Sequence, residues 1–129
     1  MSIFRRGRGG PGRVTVREAA ARTGHGDAAG GGGDAVLLDV REPHEWRAGH
    51  APRAVHVPLS SLAAGAGLPD VAQARPLVVI CRSGNRSLQA ADILAARGSE
   101  AVDVVGGMKG WAAAGLPVVD ARGGNGVVA

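Results

Sequence analysis

The sequence predicts an α/β fold in which helices cover both faces of a central, mainly parallel sheet, giving three layers. Three observations predict it. Short apolar runs at residues 35–40, 54–57, 77–80 and 101–105 alternate with segments of helical or turn character, the pattern of strand-crossover-strand units. The chain is 45% hydrophobic but only 2% aromatic, so its core has to be built from Val, Leu, Ile and Ala, which suits parallel strands under Ala-rich helices. Its 129 residues suffice for one domain and are too few for two.

Residues 1–13 are basic, Gly-rich and aperiodic, and are expected to form a disordered tail. The folded domain is expected to span 14–120. Thr15 and Glu18 have the spacing of a capping box, so a short helix should follow over 16–22. Residues 24–34, with four consecutive glycines at 30–33, read as a surface loop. After the first apolar run, Pro43 can open a helix through Glu45 and Trp46 to about Ala48. Ser60 or Ser61 can cap a turn near Leu62. In the segment 86–97, Leu88, Ala91, Leu94 and Ala95 recur at helical spacing and Gly98 can close the C-terminus. A last helix is expected over 108–114, stopped by Gly115 and Pro117, with 121–129 a flexible end that frays from Gly123.

The formal net charge is +4, yet Arg5, Arg6, Arg8 and Arg13 all lie in the first segment and leave the remainder close to neutral. The charge therefore describes a tail, and no nucleic-acid-binding face is expected. No stretch approaches the roughly 18 apolar residues of a membrane span, and the start carries no apolar run of a signal peptide. A cytoplasmic protein is expected. One cysteine, Cys81, excludes an internal disulfide, a CxxC pair and a multi-cysteine metal site.

Cys81 ends the third apolar run and is followed by Arg82, Ser83, Gly84, Asn85, Arg86 and Ser87. A lone cysteine is most often a small buried hydrophobe, but these polar residues cannot continue a core strand. Gly84 permits a sharp bend, and Arg82 and Arg86 offer fork-shaped donors to an oxyanion. Amide groups of a loop curling into a helix N-terminus converge where the sulfur should lie. Such a cradle favours the thiolate without a general base, and the loop holds no histidine to act as one.

The loop resembles the active-site loop of rhodaneses. Three further segments carry the resemblance: Leu38-Asp39-Val40-Arg41-Glu42-Pro43; Gly49-His50-Ala51-Pro52 with Val57-Pro58-Leu59; and Gly106-Gly107-Met108 with Trp111. Together they cover roughly residues 14–119. The resemblance implies a rhodanese-like three-layer fold with about five strands. It also implies a thiosulfate sulfurtransferase working by double displacement. Cys81 takes a sulfane sulfur from thiosulfate or a similar donor as a persulfide and passes it to cyanide, a thiol or a protein acceptor. No metal or organic cofactor is implied, and no nucleic-acid or membrane partner. Phosphatases of related fold place five residues between Cys and Arg, whereas four separate Cys81 from Arg86. The shorter loop suits sulfur better than a tetrahedral phosphate. A non-catalytic binding or redox-sensing module is the alternative, against which stand the intact cysteine and both arginines.

Supporting residues are expected around the loop. Asp39 and Arg41 should lie close to it. An ion pair fixing the strand-to-helix corner, with Glu45 one partner open to Arg41, is favoured over tuning of the pocket, because Asp and Arg near a buried corner usually pair. His50 reads as a hydrogen-bonded turn residue more than a pocket wall. Gly106 and Gly107 suit either a close backbone approach or a plain turn, and Trp46 and Trp111 are expected in the core. Arg53 and Ala51 depart from the family pattern, where Gly and Ile are common, which affects a turn and a core contact.

Overall fold

The computed structural model describes residues 12–25 and 33–129. The tail up to Pro11 and the glycines at 30–32 lie outside these described residues. The strands are β1 (Arg13–Val14), β2 (Val36–Asp39), β3 (Val55–His56), β4 (Leu77–Ile80) and β5 (Ala101–Val104). The helices are α1 (Val16–Arg22), α2 (Pro43–Ala48), α3 (Leu59–Ala63), α4 (Arg86–Ala96) and α5 (Gly107–Ala113), with a 3-10 turn at Asp70–Ala72. The strands form one parallel sheet in the order β1-β5-β4-β2-β3, the α/β/α architecture the sequence predicts.

Side chains alternate across the sheet because the strand period is two. Leu38, Leu77 and Val79 join Leu62, Ala90, Ala91 and Leu94 on the face covered by α3 and α4, and Cys81 belongs to this cluster. Leu37, Val78, Ile80, Val102 and Val104 join Ala19, Ala20, Met108 and Trp111 on the opposite face, under α1 and α5. The alternation carries straight through β4, so the nucleophile candidate stands on the α4 side of the sheet. No helix among the described residues is long and apolar enough to cross a membrane.

Local signals explain most boundaries. The Thr15–Glu18 capping box forms as expected, with Glu18 N–H on Thr15 Oγ1 at 3.1 Å and Thr15 N–H on Glu18 Oε1 at 3.0 Å. Pro43 stands at the start of α2 and Gly98 follows the end of α4 with φ +93°. Ser60 and Ser61, expected as caps, lie inside α3 behind Pro58. Proline's fixed φ already starts that turn, and no side chain caps it. Arg53, at the turn where the family commonly has Gly, adopts φ +64°, and its guanidinium donates to Gly24 O at 2.9 Å.

Two expectations about the ends are corrected. Arg13 is no part of a disordered tail: it lies in β1 and pairs with Asp103 of β5. The stretch from Gly123, expected as a loose end, makes backbone hydrogen bonds to the body of the domain. His50 and Val119 exchange backbone hydrogen bonds at 2.8 Å, and Gly126 and Val127 donate to Val118 O and Ala48 O, both at 3.0 Å. Composition alone marked both ends as loose, but backbone pairing does not depend on side-chain hydrophobicity.

Candidate active site

Cys81 follows β4 at the carboxyl edge of the sheet, where ligands of parallel α/β folds bind. Its side chain is buried. The chain then turns through a left-handed Gly84, φ +113°, which brings the Gly84 N–H to 3.1 Å from Cys81 Sγ. Asn85 places no side-chain cap on α4, and its carbonyl accepts from the Leu88 N–H at 3.2 Å. Ser87 Oγ lies 3.4 Å from the sulfur on the other side. Ser83 and Asn85 are exposed at the rim.

The two loop arginines part company. Arg86 forms a two-pronged ion pair with Glu45, Nη1 to Oε1 at 2.6 Å and Nη2 to Oε2 at 2.8 Å. Arg82 turns outward and donates from Nε to Ala129 O at 2.8 Å. Its backbone stays in the site, because Arg82 O accepts from Lys109 N–H at 3.0 Å and Cys81 O from Met108 N–H at 2.7 Å. Those bonds bring Gly107 against the loop so closely that a Cβ there would stand 2.5 Å from both carbonyl oxygens. Of the two readings of this glycine, close approach is the correct one.

The expected ion pair at the strand-to-helix corner forms, with Asp39 and not Glu45 as the partner of Arg41. Arg41 grips Asp39, Nε to Oδ1 at 2.9 Å and Nη2 to Oδ2 at 2.8 Å, while Nη2 also donates to Gly49 O at 2.7 Å. Residues two apart at the end of a strand face the same way, which puts Asp39 nearer than a helix residue can come. Both side chains have 0% exposure, and Arg41 Nη1 has no partner among the described residues. Val40 N–H donates to Ile80 O at 3.0 Å, so this corner abuts the strand that carries Cys81. His50 is a turn residue as expected, its Nδ1 2.7 Å from Trp46 O. Trp111 is core, but Trp46 is only half-buried and stacks between His50 and His56, with ring centroids 3.6 and 4.7 Å away.

Three residues of this constellation escaped sequence reasoning: Glu45 as the partner of Arg86, and Arg13 and Asp103. Asp103 is buried, accepts from Ser87 Oγ at 2.8 Å, and is held by Arg13 at 2.9 and 3.0 Å. Its signal was available, as the single charged residue in the apolar run 101–105.

The Arg86 guanidinium holds the Glu45 carboxyl well below its usual range, at about 2, with the Glu42 N–H adding to the effect. A depressed carboxylate stabilises the fold above its unfolded pKa of 4.5, and that contribution fades as pH falls toward about 2. Glu45→Gln is expected to cost about 1–2 kcal/mol at pH 7, allowing for solvent at the half-buried Arg86. Urea unfolding should show the difference from wild type constant above pH 5 and shrinking below it (~pH 4 and under).

A family model described as "Rhodanese-like domain" matches residues 17–114. A protein of Mycobacterium tuberculosis named "Probable adenylyltransferase/sulfurtransferase MoeZ" is 40% identical over 78 residues, 60% of this chain and 20% of that protein. The match thus spans about a fifth of the curated relative. Among solved structures, a rhodanese-related protein from Thermoplasma volcanium is 35% identical, with TM-score 0.59, covering 67% of this chain and 84% of that one. A Rhodopseudomonas palustris protein of unknown function, described as a "Possible Tyrosine Phosphatase", is 25% identical, with TM-score 0.66 and 83% of each chain covered.

Proposed function

This chain belongs to the rhodanese-like domain family, and from that premise we propose that it is a sulfurtransferase whose Cys81 carries the sulfur between a sulfane donor such as thiosulfate and a nucleophilic acceptor. One observation carries the reading: the Gly84 N–H aimed at Cys81 Sγ from 3.1 Å, inside a loop that reaches Arg86 after four residues. A backbone donor to sulfur costs no reorganisation when charge develops there, and a hydrogen bond to a charged group contributes about 1.5–3 kcal/mol.

The Cys81 thiolate attacks the outer sulfur of thiosulfate. A new S–S bond forms, the bond from that sulfur to the sulfonate breaks, and its electron pair leaves with sulfite. The acceptor, cyanide in the test tube or a thiol or protein thiol in the cell, then attacks the outer sulfur of the persulfide and restores the thiolate. The loop amides supply positive charge for the anionic donor, beside the Arg86–Glu45 pair. Glu45 fixes the direction of the Arg86 guanidinium. A lone thiol suits a reducing, cytoplasmic setting.

The test is thiocyanate formation from thiosulfate and cyanide, together with intact mass after thiosulfate treatment. We expect turnover lost in Cys81→Ser, and one added sulfur on the wild-type chain that reductant removes. A wild-type rate equal to that of Cys81→Ser, with no added sulfur from any sulfane donor, would leave the binding module. Hydrolysis of p-nitrophenyl phosphate in place of sulfur transfer would favour a phosphatase, which the four-residue gap opposes.

A further inference from the structure

Five residues close a ring of contacts around the nucleophile. Cys81 Sγ meets Ser87 Oγ at 3.4 Å, and Ser87 Oγ donates to Asp103 Oδ2 at 2.8 Å. Asp103 is gripped by Arg13, whose Nε and Nη2 stand 2.9 and 3.0 Å from Oδ1 and Oδ2. Arg13 Nη2 also donates to Gly84 O at 2.8 Å, and the Gly84 N–H returns to the sulfur at 3.1 Å. Arg13 and Asp103 lie 90 residues apart and come from β1 and β5.

A serine hydroxyl has one hydrogen. With that hydrogen given to Asp103, Ser87 shows lone pairs to Cys81, an arrangement that suits S–H and opposes S⁻. The buried carboxylate opposes S⁻ further by like charge, and the Arg13 guanidinium offsets it. We infer that the Arg13–Asp103 pair, acting through Ser87 and Gly84, sets how readily Cys81 becomes a thiolate. Arg13 and Asp103 are positioning residues in this scheme. The thiolate itself takes the Ser87 hydrogen by rotation of the hydroxyl, and Arg13 then holds Asp103 Oδ2 alone.

The other charged groups around the sulfur are already committed. Arg86 from α4 is paired with Glu45 from α2, and Asp39 with Arg41 beyond β2. Arg82 donates from Nε to Ala129 O, and Lys109 on α5 is exposed. The Arg13–Asp103 pair is the one joined to the sulfur through hydrogen bonds on both sides.

The inference rests on Cys81 being the nucleophile of the proposed transfer, and its test needs no sulfur donor. The rate of alkylation by iodoacetamide is measured against pH for wild type, Asp103→Asn, Arg13→Gln and the double variant. Removing the carboxylate charge should move the profile about one pH unit to acid, roughly tenfold more thiolate at a fixed pH below the midpoint. Removing the guanidinium should move it about one unit to alkali, and the double variant should return near wild type. Single variants that move in the same direction, as general loosening would make them, overturn the inference. So does an Arg13→Gln profile that superimposes on wild type, and this variant decides alone if Asp103→Asn does not fold, since Arg13 is 37% exposed on an edge strand. Opposed shifts in a protein that forms no persulfide would sink the sulfurtransferase reading and leave this one standing.

Discussion

Alanine at position 107 is expected to abolish most activity and to lower the melting temperature by roughly 10 °C or more. The added Cβ would stand 2.5 Å from the carbonyl oxygens of Cys81 and Arg82, and neither is the end of a flexible side chain that could swing away. Gly107 also has φ +57°, where a Cβ costs about 1–2 kcal/mol. Relief requires separating α5 from the loop. That breaks the bonds of Met108 N–H and Lys109 N–H to the same two carbonyls, worth about 1 kcal/mol each. The sum is about 3–4 kcal/mol, which for a domain of this size is a shift of roughly 10–15 °C.

The loss of rate has a separate origin. Those carbonyls belong to the residues that set the direction of the Cys81 side chain and of the turn to Gly84. A displacement of ~1 Å in a catalytic group costs about 100-fold. Gly98→Ala is the control, because Gly98 has φ +93° but nothing within 4 Å of an added methyl. It should lose about 1–2 kcal/mol and keep its rate. Thermal melts and thiocyanate assays on both variants separate backbone strain from crowding, and a Gly107→Ala protein with wild-type turnover would show that the loop does not depend on α5.

What could be read from the sequence was local. Strands β2, β4 and β5 announce themselves as apolar runs, α4 by its spacing, and the Cys81 loop by the abrupt change from Ile80 to polar residues. The unread part is long-range pairing. Arg13 sits among glycines and arginines whose composition says tail, and only Asp103, 90 residues away, makes it structural. Glu45 has the helical spacing to serve Arg41, yet Arg86, 41 residues on, claims it because Asp39 already fills Arg41. Strand β1 is two residues long, with no alternation to display, and the chain's end is held by backbone bonds that side chains do not encode. Trp46 was assigned to the core by residue type, but the two histidines that flank it could stack on its faces without burying it.

Asp39→Asn tests the second large effect. The substitution keeps the shape and removes the charge, leaving the Arg41 guanidinium at 0% exposure with no carboxylate free to replace it, since Glu45 is taken by Arg86. Breaking one side of a buried pair costs about 3–5 kcal/mol, and urea unfolding at pH 7 should show that loss. Replacing both partners by apolar residues behaves differently. Arg41 already leaves Nη1 unsatisfied, so Asp39→Leu with Arg41→Met removes two desolvated charges and an orphaned donor together. The double variant should recover part of that loss, staying about 2–3 kcal/mol below wild type because Gly49 O and the Arg41 N–H lose their partners. Its rate of thiocyanate formation then separates two roles for the pair. A stable double variant within ~10-fold of the wild-type rate assigns Asp39 and Arg41 to holding the corner beside Ile80. Loss of turnover in a protein that is equally stable would mean that their field reaches the sulfur, because a tenfold change needs only ~1.4 kcal/mol at the transition state.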